Sequence, residues 1–358
     1  MSLRAISLRF SPLAIMSAIG SMPLLARAHE VYVLPTREIN AALQAPPLQV
    51  FSIIWSEERR FFFWMFLVAA IIVFVFFVSI SKRMETRFDP GLDRLKLYAP
   101  FVGRITLGLS MLASAHYGAI FGPELPFTNF LAPEYISSFR IFMFITGTLI
   151  LLGLWTRTAA LLLMLTYGAL IFKYHLYMLT YLNYFGEMVI AFILGAQLFA
   201  IDKILPWRLT TFTLLFADIS EWFEDHAFFF LRISFGVSLI YASIYAKFLH
   251  AQLALDVVTR YNLTHYFHFD PPFLVLGAFA IEILLGLFFI FGIELRFTAI
   301  FLIGFLTLSL IYFGEAVWPH IILAGTAIVI FFRGYGKYTL EWQFLHRLFG
   351  KNVGEPVL

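Results

Sequence analysis

The chain has 358 residues, of which 61% are hydrophobic and only 13% charged, with a formal net charge of +3. A soluble domain carries roughly a quarter charged residues, so the composition argues against an ordinary soluble fold. With no cysteine, the chain itself is excluded from disulfide exchange, thiolate metal ligation and cysteine-bound iron–sulfur chemistry.

In chain order, residues 1–28 read as a secretory signal peptide. Arg4 and Arg9 form a basic start, Ser11 to Leu25 is a short apolar stretch, and Ala26-Arg27-Ala28 places small residues at a cleavage site. Cleavage would leave His29-Glu30 at a mature end outside the cytoplasm. Residues 29–59, with Pro35, Pro46 and Pro47, read as an external segment containing one short helix. Apolar runs of membrane-crossing length then recur near residues 60–80, 97–120, 137–155, 158–178, 183–201, 227–248, 272–292, 297–315 and 319–333. The expected fold class is therefore all-α: a polytopic transmembrane protein with about nine spans. The 44 phenylalanines read as lipid-facing bulk.

Charge along the chain sets an expected direction. Lys82, Arg83, Arg87, Arg94 and Lys96 follow the first span; Arg157, Lys203, Arg208 and Arg296 lie in later loops on the same side; Arg333, Lys337, Arg347 and Lys351 mark the tail. The loops between are poorer in Lys and Arg and hold Glu124, Glu134, Asp256 and Asp270; Arg59, Arg60 and Arg260 are exceptions. The positive-inside rule then places the amino terminus outside and the carboxyl terminus in the cytoplasm of a cell inner (plasma) membrane.

The strongest organisational signal is a duplication. Arg104-Ile-Thr-Leu-Gly-Leu-Ser-Met-Leu matches Arg232-Ile-Ser-Phe-Gly-Val-Ser-Leu-Ile, and Gly153-Leu-Trp-Thr-Arg157 matches Gly292-Ile-Glu-Leu-Arg296. The second match is spaced more widely than the first, which fits a longer outer loop in the second copy. The expected organisation is 60–96 as a first span with its loop, 97–201 as one four-helix unit, 202–226 as a linker, 227–341 as a second unit and 342–358 as a tail. Both units start on the same side, so they form tandem parallel bundles preceded by one extra span. Trp222–His226 and Trp342–Phe349 read as amphipathic pieces on the inner surface.

Ionisable groups within spans are costly and so are candidate functional residues. Arg104 and Arg232 lie near the inner ends of matching helices, where they snorkel or bond backbone carbonyls in a structural role. Glu282 falls near mid-membrane. Glu187 falls nearer the outer face and shares a helix face with Asn183, one turn before it. Each carboxyl is a candidate for relaying protons or contacting a quinone headgroup, and each could instead form an interhelical hydrogen bond. Glu315 and His320 flank an outer turn and join this proton/quinone set. Most histidines fall on the outer side, and only His226 and His346 fall inside. His29, His116, His175, His265, His268 and Asp270 are candidate metal ligands, including a bis-His haem at His116 and His175 and a copper site at the new amino end with His29. No nucleotide-binding or nucleophile motif is present, and nothing supports nucleic-acid binding.

The second copy resembles the DoxX/DoxD-like family of four-helix membrane proteins. The likeness rests on Leu231-Arg232-Ile-Ser-Phe-Gly236, Lys247-Phe248, Glu282-Ile-Leu-Leu-Gly286, Gly292 with Arg296, and Arg333-Gly-Tyr-Gly-Lys-Tyr-Thr-Leu-Glu341. The first copy keeps Arg104, Gly108, Gly153 and Arg157. It has Met143 where Glu282 aligns, and Asp202-Lys-Ile-Leu-Pro in place of the closing motif. The resemblance implies a membrane subunit of a redox, quinone-linked complex, without activity of its own being required, with an oxidoreductase subunit and the lipid bilayer as partners. The alternative from the histidines is a metal or small-solute binder or transporter acting at the outer membrane face.

Overall fold

The computed structural model describes residue 34 and residues 36–45, 57–204, 210–315, 317–336 and 338–345. The expected signal peptide, His29 and His346 lie outside the described residues. So does most of the tail.

The described residues form helices joined by turns. In chain order they are α1 (Thr36–Gln44), α2 (Glu57–Leu92), α3 (Ala99–Tyr117), α4 (Pro133–Leu152), α5 (Thr156–Tyr174), α6 (Leu182–Leu194) and α7 (Thr210–Ser243). Then come α8 (Ala251–Arg260), α9 (Leu263–Tyr266), α10 (Pro271–Phe291), α11 (Leu295–Phe313) and α12 (Val317–Arg333). Six stretches are long and apolar enough to cross a membrane: Asp93–Tyr117, Pro133–Leu152, Thr156–Leu194, Phe223–Leu249, Pro271–Phe291 and Leu295–Phe313. The chain is an all-helical, multi-pass membrane protein on that ground.

Local chemistry sets the helix ends. Pro133 and Pro271 open α4 and α10 at the first helical turn, where a missing N–H costs nothing. Gly153 (φ 68°) and Gly292 (φ 69°) close the same two helices in the left-handed region, which a side chain tolerates poorly. The expected run 183–201 is shorter as a helix, because α6 stops at Leu194 and Gly195 turns the chain back. The longer outer connection expected in the second copy is α8 with α9.

Packing follows the duplication. Within the first copy α3 lies along α4, and within the second α7 lies along α10. Both contacts are glycine-lined: a Cβ on Gly108 would stand 3.0 Å from the Gly147 carbonyl, and one on Gly286 2.8 Å from the Gly236 carbonyl. Small residues of this kind let membrane helices approach closely. Between copies, α6 packs on α7 and α12 packs on α3, so the last helix of each lies on the first helix of the other. Ala99, Leu194, Ala227, Leu231 and Val329 share one buried cluster there. The start of α3 and the middle of α7 therefore meet the ends of α6 and α12.

The copies differ inside. The first buries Phe121, Tyr167, Tyr181 and Tyr184 in one continuous core. Tyr167 donates to the Met178 carbonyl (2.6 Å) and Tyr184 to the Phe121 carbonyl (2.8 Å). In the register that pairs Gly153 with Gly292, the second copy has Leu306, His320 and Leu323 for those three tyrosines, and Glu282 for Met143. Large rings stand opposite smaller or polar groups in that register, and a cavity lies between the two copies, lined by residues of both.

Candidate functional site

Two parts of the molecule carry concentrated polar chemistry. One is the arginine end, at the turns after α4 and α10. The other is the cavity between the copies, toward the opposite end.

At the arginine end the copies repeat almost atom for atom. Arg104 donates from Nη2 to the Phe199 carbonyl (3.1 Å), and Arg232 from Nη2 to the Tyr338 carbonyl (2.8 Å). Both guanidiniums press on the left-handed glycine of the neighbouring turn, Gly153 or Gly292. Arg157 bonds the Phe192 and Ile193 carbonyls at the end of α6, and Arg296 bonds the Phe331 carbonyl near the end of α12. These arginines satisfy orphan carbonyls at helix ends.

The acid that closes each copy completes the pattern. Asp202 accepts from the Trp155 N–H (3.0 and 3.2 Å), and Glu341 from the Glu294 N–H (2.9 Å), each at the start of the copy's third helix. The first copy therefore keeps the closing acid within Asp202-Lys-Ile-Leu-Pro, although its sequence around that acid has changed. The copies diverge at one point here. Arg296, 3% exposed, also holds Asp89 at the end of α2 and Asp93 (2.8 Å) just beyond it, and Asp89 accepts from the Tyr335 hydroxyl. This ties α2 to the second copy.

The cavity has a volume of about 100 Å³. The chain around Thr180 and Asn183 supplies one wall, the end of α7 another, and α10, α11 and the start of α12 the rest. Two polar side-chain pairs stand at it, one a Lys–Glu ion pair and one a His–Glu contact. Lys247 bonds Glu282 at 2.9 Å, with side-chain exposures of 5% and 16%. His320 Nε2 lies 3.0 Å from Glu315, whose other oxygen accepts from Ser309 (2.9 Å). Tyr177 and Tyr245 meet edge to face at 4.9 Å on its rim. Beside them His250 packs on Tyr245, and burial holds its imidazole below the usual histidine value.

Two neighbouring groups in this lining lack partners. Asn183 is 1% exposed, and neither its Oδ1 nor its Nδ2 has a hydrogen-bond partner. The Thr180 hydroxyl beside it is also buried and unpartnered. A buried amide left without hydrogen bonds costs roughly 1–3 kcal/mol per group, so water or another polar group in the cavity would stabilise it.

Comparison of the chain with protein-family models, with curated proteins and with solved structures finds no match.

The candidate residues named from sequence thus separate. Glu282, Glu315 and His320 come together on the cavity. Glu187 lies apart from them, where it accepts from Thr326 Oγ1 at 3.0 Å on the seam between α6 and α12. Arg104 and Arg232 anchor turns. His116 and His175 are exposed, and so are His265, His268 and Asp270. Among the described residues no three His, Cys, Asp or Glu side chains gather as a metal-holding group. Sequence reasoning missed Lys247 as the partner of Glu282, because the two lie 35 residues apart across a loop. It also gave Asn183 no role except as a neighbour of Glu187. The available signal was a full amide in an apolar run.

Proposed function

We propose that this protein is the quinone-contacting membrane subunit of a redox complex, and that the cavity between the copies receives the quinone headgroup. The unpartnered Asn183 amide carries this reading. Its Nδ2, the Thr180 hydroxyl and the Lys247 ammonium are donors suited to the carbonyl oxygens of a quinone ring. Leu302, Phe305 and Leu306 supply an apolar wall for the ring, and Tyr177 and Tyr245 a polarizable edge. A bound quinone would supply electron acceptance. The chain itself holds the headgroup, orients its oxygens and shields it from water, and the electrons come from an oxidoreductase partner. The Lys247–Glu282 and His320–Glu315 pairs place exchangeable protons beside the same space.

The proposal includes the fuller topology. Thr156–Leu194 is 39 residues, about 58 Å if it were one straight helix and too long for a single ~30 Å crossing. It is instead α5 and α6, packed side by side around the turn at His175. Counting these as two spans, with α2 and α12 as further ones, gives nine: one extra span and two parallel four-helix units. The lysine- and arginine-rich loops support a reading with the arginine end in the cytoplasm of an inner membrane and the cavity toward the outer side. The Arg, Gly and closing-acid positions of the DoxX/DoxD-like likeness occupy equivalent places in both copies, which supports that kinship.

The test is quinone binding by the purified full chain in nanodiscs, compared with Asn183→Leu and with Lys247→Met. Saturable binding that falls roughly tenfold or more in both variants is expected, the loss of about 1.4 kcal/mol. No saturable binding by the native chain would reject the reading.

A further inference from the structure

The seam between the copies contains one carboxyl that the quinone reading does not use. Glu187 on α6 and Thr326 on α12 stand in the same register as Gly153 and Gly292. They occupy equivalent positions of the duplication, and they meet each other across the interface between the copies. Thr326 Oγ1 donates to Glu187 Oε1 at 3.0 Å. Glu187 is 1% exposed, and its Oε2 is buried without a partner.

The room for that second oxygen comes from Gly103 on α3, where any Cβ would collide with it. The matching position in the second copy is Leu231, so the symmetry is broken where the carboxyl sits. A purely interhelical hydrogen bond would be served by threonine on both sides. Here one side has become a carboxyl, its neighbour has become glycine, and half of the carboxyl's bonding capacity is unspent.

Asn183 stands one turn from Glu187 on the same helix, about 5–6 Å between Cβ atoms. Its unpartnered amide lines the cavity. An amide both donates and accepts, so it can hold water between the cavity and the carboxyl while keeping its own protons. The neighbours the structure gives Glu187 from α3 and α12 are Gly103 and Thr326, neither of them charged. The titratable side chains that line the cavity include Lys247, Glu282, Glu124 and His320, with Glu315 behind His320.

We infer that Glu187 is a proton site on the seam, loaded and unloaded from the cavity by way of Asn183. In the step, a hydronium ion in the cavity breaks one O–H bond and becomes water, and the proton passes through water held beside Asn183 to form an O–H bond at Glu187 Oε2. The reverse step returns it to cavity water. The inference depends on the cavity and not on the identity of its ligand.

Infrared difference spectra of the full chain in nanodiscs, taken across a pH step in H₂O and in D₂O, read this site. Glu187→Gln identifies the band. The expected result is a Glu187 carboxyl band that responds to pH and shifts in D₂O. Asn183→Leu should slow the shift roughly tenfold or more. Thr326→Val should move the band without slowing it, and that separates proton access from a structural hydrogen bond. Should Asn183→Leu not fold, Ala242→Phe fills the cavity from α7 and should give the same slowing. A Glu187 band that ignores both pH and D₂O, or that exchanges equally fast with the cavity filled, overturns the inference. Failure of quinone binding would leave these exchange results standing.

Discussion

Removing Glu282 alone should destabilise the protein far more than removing Glu282 and Lys247 together. The two side chains form one buried pair at 2.9 Å. Deleting one member leaves a buried, uncompensated charge, which costs about 3–5 kcal/mol, whereas replacing both with apolar groups is often close to neutral. The first copy already contains the apolar alternative, since Met143 and Ala119 stand at the positions of Glu282 and Lys247. Glu282→Met should therefore lose about 3–5 kcal/mol, and Glu282→Met with Lys247→Ala should recover most of it. The assay is reversible denaturation in mixed micelles followed by tryptophan fluorescence, arranged as a double-mutant cycle. A coupling energy below about 0.5 kcal/mol would mean that the charges are solvated independently, and the buried-pair reasoning would be refuted. The double variant should still bind quinone poorly, because the donor Lys247 is gone while the fold survives.

Three further outcomes follow from the arginine end. Gly292→Ala should destabilise the chain by about 1–2 kcal/mol, the cost of a left-handed backbone for a residue with a side chain. The turn holds φ at 69°, and the new methyl would also meet the Arg232 guanidinium. Gly153→Ala should behave alike in the first copy; equal stability to the native chain in the same denaturation assay would contradict this. Asp202→Ala should cost about 1 kcal/mol through loss of the Trp155 N–H bond, measured the same way; Lys203→Ala, whose side chain is exposed, should cost little. Asp89→Asn should loosen α2 from the second copy. The chain has no cysteine, so Phe66→Cys with Phe273→Cys, whose native rings lie 5.9 Å apart, report this as a fall in cross-linking yield. An unchanged yield would show that α2 is held by other contacts.

Much of the architecture was legible because it depends on features with a fixed period or a fixed sign. The apolar runs foreshadowed the helices from α3 to α5 and from α10 to α12 to within a few residues, whereas α2 and α7 run well beyond the expected spans and α6 stops short. Gly153 and Gly292 marked turns because only a residue without a side chain sits comfortably at their φ. The repeat was visible in Arg104 and Arg232, whose side chains serve the same two-part turn in both copies. Asp202 is hidden in the sequence for a physical reason: its role requires one carboxylate at one backbone N–H, and that demand leaves the surrounding Lys203 and Ile204 free to change. A motif can disappear while its chemistry stays.

The site was legible only in part. Glu282 and His320 drew attention as polar residues in apolar helices, but which groups meet is decided by the crossing of distant elements. Lys247 finds Glu282 only because α7 lies along α10. Thr326 finds Glu187 only because α6 and α12 meet at the seam. The cavity itself lies between the copies and is lined by both. Substituting Leu306, His320 and Leu323 for three packed tyrosines has meaning only when the two interiors are compared in space. The loop histidines show the converse. His265 and His268 have a ligand-like spacing, but both are exposed, and with Asp270 they form no three-ligand group.

The central claim, that the cavity between the copies receives a quinone headgroup, is tested most directly by photolabelling. A photoreactive quinone analogue, added to the full chain in nanodiscs, should label peptides containing residues 177–184 and 238–247, with labelling suppressed by excess unlabelled quinone and by Asn183→Leu. Labelling spread over the exposed faces of α2 and α11, unchanged by competitor or substitution, would contradict the account.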